Sequence, residues 1–253
     1  MNSPALAIIV PAFNESRRLT DNLLTVLSYL ETFRPDAELI VVDDGSTDGT
    51  AEVAEGLFSR RPDVCARVLR CPENRGKGHA VRAGLLATRS PVALFSDADL
   101  STPITELPKI VEPIERGDYD LVLGSRALDR SLIGQRQPWR REQGGKVFNA
   151  IVRLATALPF ADTQCGFKAF RMETARPVIE QAQVEGFGFD VELLFLARRA
   201  GLRMLEVPVR WDHHEGSKVH ILRDSLRMFR EVVTLRRRVA REGRQQLAAE
   251  VSR

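Results

Sequence analysis

The sequence predicts an α/β fold built on one mostly parallel sheet, and three observations carry that prediction. Short apolar, β-rich runs recur at Leu6–Val10, Glu38–Val42, Ala66–Leu69, Val92–Phe95 and Asp120–Leu123; helical patterns separate them; and 253 residues, 43% of them hydrophobic, suffice for one large core. The first crossover is clearest. Leu19, Leu23, Val26, Leu30 and Phe33 recur at three- and four-residue steps, which gives one apolar helical face for the sheet. Gly49–Leu57 and Ala80–Ala87 fill the next two crossovers in the same way, Gly76 and Gly78 lying just before the latter.

After Gly124 the rhythm changes. A Gln- and Arg-rich, loop-like segment carries Arg136, Arg140 and Arg141; a helix is expected over Lys146–Leu158, then a Gly- and Phe-rich stretch. We read this region as an elaboration over one edge of the sheet. A helix from Val191 to Ala200, begun by Phe187-Gly188-Phe189-Asp190 with Asp190 in the N-cap position, leads to a strand at Arg203–Val209. The expected organisation is a domain over 1–217, with halves 1–124 and 125–217, and a basic amphipathic helical tail over 218–253.

Charge is unevenly spread. The net charge is +3, yet from Lys218 onward ten Lys or Arg face four Asp or Glu, so the tail carries +6 and the rest −3. Such a tail on a mildly acidic body points to an anionic partner. Cys65, Cys71 and Cys165 form no Cys-x-x-Cys pair and have no His at ligand spacing, so no disulfide framework is expected. No signal peptide is evident around Leu6–Val10, and no run of about 18 apolar residues occurs, which leads to the expectation of a cytoplasmic protein.

The carboxylates carry the chemistry. Leu39–Val42 ends in Asp43-Asp44-Gly45-Ser46, and Val92–Phe95 ends in Ser96-Asp97-Ala98-Asp99. In a parallel sheet these ends share one edge, where ligands of open α/β sheets bind, and Pro11-Ala12-Phe13-Asn14-Glu15 reaches the same edge from the first run. Asp97-x-Asp99 can hold one hard cation and leave positions for phosphate oxygens. A lone Asp in a turn, such as Asp48 or Asp129, is equally well a cap.

Three segments, Val10-Pro11-Ala12-Phe13-Asn14-Glu15, then Val41-Val42-Asp43-Asp44-Gly45-Ser46-Thr47-Asp48-Gly49-Thr50, then Asp97-Ala98-Asp99, together resemble a family-2 glycosyltransferase. Gly124-Ser125-Arg126, Asp162-Thr163-Gln164-Cys165-Gly166-Phe167-Lys168 and Glu215-Gly216-Ser217-Lys218 extend the resemblance to the dolichyl-phosphate β-glucosyltransferase branch over nearly the whole chain. The resemblance implies a GT-A fold, Rossmann-like, to which the residue pattern adds the amphipathic tail.

It also implies roles. Pro11, Phe13 and Glu15 would line the base and ribose pocket, and Asp43 or Asp44 would hydrogen-bond uracil or ribose; for Phe13, core packing is the alternative. Lys77 would offer a cation to the diphosphate, Lys218 would close on it from a loop, and Gln164 would contact the sugar. Asp97 and Asp99 would bind Mg²⁺ or Mn²⁺ against the charge building on the departing UDP. Mannosyl relatives carry a Gln two residues after the second Asp; Ser101 stands there instead, so Ser101 or water would complete the metal site. Arg126 and Arg140 would hold the acceptor phosphate, for which the planar guanidinium is suited. Asp162 occupies the region where relatives that act on sugar hydroxyls place a base, and would orient the acceptor or assist. Cys165 reads as packing, and Glu192 as a structural residue favoured in a first helical turn.

The expected reaction moves glucose from UDP-glucose to a polyprenyl phosphate lipid with inversion. GDP-mannose as donor, or a sugar hydroxyl as acceptor, are the alternatives. Nucleotidyltransferases and dinucleotide oxidoreductases follow the first strand with a Gly-rich loop, and Pro11–Glu15 contains no Gly. In the tail, Leu222, Leu226, Phe229 and Val233 share a helical face ringed by Arg223, Arg227, Arg230, Arg236, Arg237, Arg238 and Arg241. Such a helix suits a membrane surface. The alternative is packing on the sheet or on a second subunit in a homo-oligomer. With one aromatic, Phe229, the tail offers nucleic acid no stacking platform.

Overall fold

Strands β1 (Leu6–Ala12), β2 (Ala37–Asp43), β3 (Cys65–Arg70), β4 (Val92–Ser96), β5 (Leu121–Ser125), β6 (Phe167–Arg171) and β7 (Met204–Pro208) form one sheet in the order β3-β2-β1-β4-β6-β5-β7. Every pairing is parallel except the two made by β6, which runs antiparallel between β4 and β5. The computed structural model describes residues 4–135 and 139–213, with Arg230, Glu231, Thr234, Leu235 and Arg238 beyond them; side chains at 139–142, 145–148 and 151 lie outside the description.

Side-chain alternation divides the core in two. Ala7, Ile9, Ile40, Val42, Ala93, Phe95, Leu121, Leu123 and Phe170 face one way. Leu6, Ile8, Val10, Leu39, Val41, Val92, Leu94, Val122 and Ala169 face the other. Burial on both faces is why the strands read as continuous apolar runs. Helices α1 (Ser16–Phe33), α2 (Thr50–Phe58) and α4 (Leu107–Glu115) cover the second face. Helices α3 (Lys77–Ala87), α5 (Trp139–Thr156), α6 (Met172–Gln181) and α7 (Phe189–Arg199) cover the first.

Four expectations need correction. Phe33 is 65% exposed and meets the Tyr29 ring at a tilt; Leu27 joins the buried seam instead, and the helix ends at Phe33. The helix expected over Lys146–Leu158 begins at Trp139, so the backbone of Arg140 and Arg141 is helical. Gly144-Gly145, each costing about 1 kcal/mol relative to Ala, had concealed that start. The Gly- and Phe-rich stretch does not lie over an edge: its end is β6, inside the sheet. Lys168 in mid-strand hid it, because a lysine there breaks the apolar pattern. Finally, the N-cap of α7 is Gly188, and Asp190 lies inside the first turn.

Of the tail, three described residues turn inward. Glu231 accepts a hydrogen bond from Gly188 N (3.1 Å), Leu235 joins the core, and Arg238 donates to Glu192 (2.6 Å). Arg238 thus serves the domain and not an outer basic surface. Glu192, fully buried, also accepts from Gln183 N and Val184 N, so its role in joining segments outweighs any helix-dipole effect. Leu222, Leu226, Phe229, Val233, Arg223, Arg227, Arg236, Arg237 and Arg241 lie outside the described residues. Among the described residues, no helix is long and apolar enough to cross a membrane.

Gly84 shows how closely α3 lies on the sheet: a Cβ there would stand 2.3 Å from Ile9 Cγ2 and 2.8 Å from Val42 Cγ2. Gly56, in α2, has nothing within 4 Å. Gly84→Ala is therefore expected to destabilise by about 1–2 kcal/mol, overpacking exceeding the gain in helix propensity, while Gly56→Ala stabilises by about 0.5–1 kcal/mol. Urea unfolding of the two variants checks both signs.

Candidate active site at the carboxyl edge

Two connections at this edge are locked together. Asn14, held at a positive φ of 52°, donates its N–H to Ser46 Oγ (2.9 Å) and accepts from Thr47 N (2.9 Å). Glu15 N donates to Thr50 Oγ1 (2.8 Å). Asp48 accepts from Ser16 N (3.1 Å) and from Thr50 N (3.1 Å), so one carboxylate caps the starts of both α1 and α2. Asp129 is likewise a cap, accepting from Ser131 N. Between the locked loops, Pro11 and Phe13 are half-buried, the buried Glu15 pairs with Arg18, and Asp43 accepts from Ser46 N (3.3 Å).

Asp44 is turned elsewhere. Its carboxylate accepts from Asn74 Nδ2 (3.0 Å), Arg75 N (3.2 Å) and Gly76 N (2.7 Å), and its Oδ1 faces His79 Nδ1 (3.3 Å). Gly45, at φ 69°, lets this loop approach: a Cβ there would be 2.5 Å from the carbonyl carbon of Glu73. Asp44 thereby fixes the turn that starts α3. Gly78 is packed on the segment before α7, where a Cβ would meet Val184 O at 2.4 Å. Lys77 is consequently the first residue of α3, and its ammonium reaches Asp97 Oδ1 at 2.5 Å. Burial works against the Lys77 charge, but Asp97, Asp190 and Asp99 together raise its pKa.

Asp97 follows β4 against the start of β6. Its N–H donates to Gly166 O (3.1 Å), and a Cβ on Gly166 would fall 2.1 Å from Asp97 Oδ2, so only glycine leaves room for this carboxylate. Asp97 Oδ1 is buried and accepts no well-directed hydrogen bond; the Lys77 ammonium is its counter-charge. Asp99 Oδ1 accepts from Ser101 N (3.0 Å). Below them Lys168, with no exposure, donates to Asp190 (2.5 Å) and to Cys165 O (2.6 Å). Burial pushes the Asp190 carboxyl up by more than Lys168 and Lys77 pull it down.

The second charge pair ends β5. Arg126 donates to Asp162 from Nε (2.6 Å), Nη2 (2.8 Å) and its backbone N (3.0 Å), and Gln164 N adds a fourth bond (3.1 Å). Glu206, on β7, holds the Asp162 turn by accepting from Ala161 N and Asp162 N. The guanidinium lies 5.5 Å from the centre of the Trp211 ring, a cation–π contact. Cys165 is buried, and burial foremost pushes its thiol up to about 11, which fits packing and not nucleophilic attack.

Sequence reasoning missed three features. Lys168 and Asp190 find each other only when β6 enters the sheet. Trp211 carried one signal, an aromatic just past a strand. Asp44, Cys71 and His79 form the cluster of metal-ligand side chains found among the described residues, against the expectation that no His serves the cysteines. The side chain of Arg140, and Lys218 altogether, lie outside the description.

Burial alone would raise the Asp162 carboxyl, yet the charge and hydrogen bonds of Arg126 hold it at about 2, against an ordinary 3.8. A depressed folded pKa means stability that is complete above 3.8 and is lost as pH falls towards about 2. At 1.36 kcal/mol per unit this is roughly 2 kcal/mol. Asp162→Asn should therefore lose that much less stability than the parent between about pH 4 and about pH 2, read from urea unfolding; parallel profiles would refute it.

Comparison with known proteins follows the same lines. Residues 7–177 match the family model described as glycosyl transferase family 2. The chain is 39% identical to a dolichyl-phosphate β-glucosyltransferase of Drosophila melanogaster, covering 91% of this chain and 74% of that one. It is 35% identical to the Homo sapiens enzyme of that name, covering 92% and 75%. Glucosyl-3-phosphoglycerate synthase of Mycobacterium tuberculosis, solved with Mn²⁺, UDP-glucose and phosphoglyceric acid, superposes with a TM-score of 0.65 at 24% identity over 92% of this chain and 78% of that one, a likeness of fold. The mixed sheet with β6 reversed is the GT-A arrangement, and the chain belongs to glycosyltransferase family 2.

Proposed function

We propose that this protein transfers glucose from UDP-glucose to a polyprenyl (dolichyl-like) phosphate, with inversion at the anomeric carbon, giving β-glucosyl phosphoryl polyprenol and UDP. The observation that carries this reading is the meeting, at one sheet edge, of the Asp97–Lys77 pair with an Arg126 guanidinium held by Asp162. The first is a place for a diphosphate and its cation; the second is a rigid fork for a phosphate. The names of the relatives support glucose and a dolichyl acceptor.

Asp97 and Asp99 fit a divalent cation. One buried carboxylate oxygen lacks a directed donor, and Gly166, having no side chain, admits the Asp97 carboxylate to this position. They would hold Mg²⁺ or Mn²⁺, which when bound supplies Lewis-acid neutralisation of the leaving diphosphate; Ser101 or water would complete the set. Lys77 would then exchange Asp97 for the diphosphate. Pro11, Phe13, Glu15 and Asp43 would bind the nucleoside, since Asp44 is spent on its loop. Gln164 would contact the sugar, and Arg140 and Lys218 would add charge at the acceptor and donor phosphates.

A phosphate monoester has a second pKa near ~6 and is mostly dianionic at neutral pH, so its oxygen attacks without a general base. The new C–O bond forms as the bond to the diphosphate breaks and its electron pair leaves with UDP. Asp162, ionised and bonded to Arg126, acts as a positioning residue. Arg126 receives the acceptor phosphate and keeps it in line. The acceptor's lipid chain places this chemistry at a membrane surface, which the tail arginines would favour.

Arg126→Ala is expected to leave UDP affinity near that of the parent by calorimetry while weakening acceptor use by about 2–5 kcal/mol, with Arg126→Lys recovering part of it. Collapse of UDP binding with unchanged acceptor dependence would assign Arg126 to the donor, and faster transfer from GDP-mannose than from UDP-glucose would reject glucose. A second test addresses Lys77. In Lys77→Met, Asp97 loses its resident counter-charge, so Mn²⁺ without nucleotide should bind several-fold tighter, measured by electron paramagnetic resonance of the free ion, while UDP with Mn²⁺ binds more weakly. Weaker Mn²⁺ binding by the nucleotide-free variant would show that Lys77 does not compete for Asp97.

A further inference from the structure

A second, chemically different set of ligand atoms lies around the turn that starts α3. Asp44 follows β2, Cys71 follows β3 and His79 is in the first turn of α3; one ligand atom from each lies within 4.8 Å of the others. Asp44 is far in sequence from Cys71 and His79, which stand eight residues apart, and the fold closes all three into one cluster.

We propose that Asp44, Cys71 and His79 form a Zn²⁺ site, separate from the Asp97–Asp99 pair. The donor set decides the metal. One thiolate, one imidazole nitrogen and one carboxylate oxygen make a set of borderline softness, which favours Zn²⁺ or Co²⁺ over Mg²⁺ and Mn²⁺. The spacing suits it. Zn²⁺ holds N and O ligands at about 2.0–2.2 Å, so tetrahedral neighbours stand roughly 3.3 Å apart. Asp44 Oδ1 and His79 Nδ1 are 3.3 Å apart already.

The carboxylate is also held in the manner of a metal ligand. Asp44 Oδ2 is fixed by Gly76 N at 2.7 Å and Asn74 Nδ2 at 3.0 Å, Arg75 N is shared between the two oxygens (3.3 Å to Oδ1, 3.2 Å to Oδ2), and Oδ1 faces the imidazole. Outer bonds of this kind orient first ligands and raise affinity. His79 and Cys71 are partly accessible, so a cation has a route in, and water would take the fourth position. On binding, the Cys71 thiol loses its proton to solvent and the sulfur joins the metal. The ends of β2 and β3 and the start of α3 are then tied together, and with them the turn that aims Lys77.

Co²⁺ is the probe, titrated into the full chain at neutral pH under a phosphine reductant. We expect a thiolate-to-cobalt charge-transfer band with tetrahedral ligand-field bands, both displaced by Zn²⁺. Cys71→Ser should abolish the charge-transfer band, His79→Gln should weaken Co²⁺ binding at least ten-fold, and Asp97→Asn should keep the band. Zn²⁺ should raise the Tm of the parent and not of Cys71→Ser. Absence of the band, its survival in Cys71→Ser, or unchanged affinity in His79→Gln would overturn the site and leave His79 as a hydrogen-bond partner of Asp44 alone. If either variant has a lowered Tm in chelator, the parent's Co²⁺ spectrum and its proton release, compared in two buffers by calorimetry, still decide the matter.

Discussion

A lysine ammonium buried in the middle of a seven-stranded sheet is the constraint from which this site is built. Lys168 stands on β6 with no exposure, and an unpaired charge there would cost several kcal/mol. Asp190 answers it at 2.5 Å, the carbonyl of Cys165 takes a second bond, and the Phe95 ring lies 5.3 Å from the ammonium. The pair therefore fixes where α7 begins. Because Gly78 packs on Phe189 and on the backbone just before α7, that placement also fixes the start of α3, and so delivers Lys77 to Asp97.

Charge at the edge is stored as internal pairs. Lys77 waits on Asp97, and Arg126 waits on Asp162. Each cation is thus held in one place by an anion of the same chain, which is the preorganisation that the proposed phosphate ligands would need. The two pairs differ in rigidity. Arg126 is gripped by two side-chain bonds, its own backbone bond and an aromatic ring, whereas Lys77, which also lies over a ring, that of Phe189, holds its carboxylate by one ion contact without hydrogen-bond geometry on the acceptor. The first suits a fixed fork and the second a group that changes partners.

Much of the family's acidic motif proves to be scaffold. Asp44 and Gly45 admit and bind the Asn74–Gly76 turn; Ser46 and Thr47 bond to Asn14; Asp48 and Thr50 bond to Ser16 and Glu15. Asp43 accepts from Ser46 N at 3.3 Å. The motif thus holds two loops in register at the sheet edge.

What the sequence by itself determined is the part governed by local periodicity and by strand polarity. Apolar runs at β1, β2 and β4 followed by Asn14-Glu15, Asp43-Asp44 and Asp97-x-Asp99 must share an edge if the sheet is parallel, and they do. Asp48 and Asp129 as caps were equally legible, since capping is a matter of a few neighbouring residues. The tertiary structure alone decided β6, the Lys168–Asp190 pair, the bonding of Asp162 to Arg126 and the meeting of Cys71 with His79 and Asp44. The reason is common to all four. Each depends on contacts between segments that are not neighbours in the chain, and for the buried charges Lys168 and Asp162 the partner that makes burial tolerable lies 22 and 36 residues away, where no local pattern reveals it.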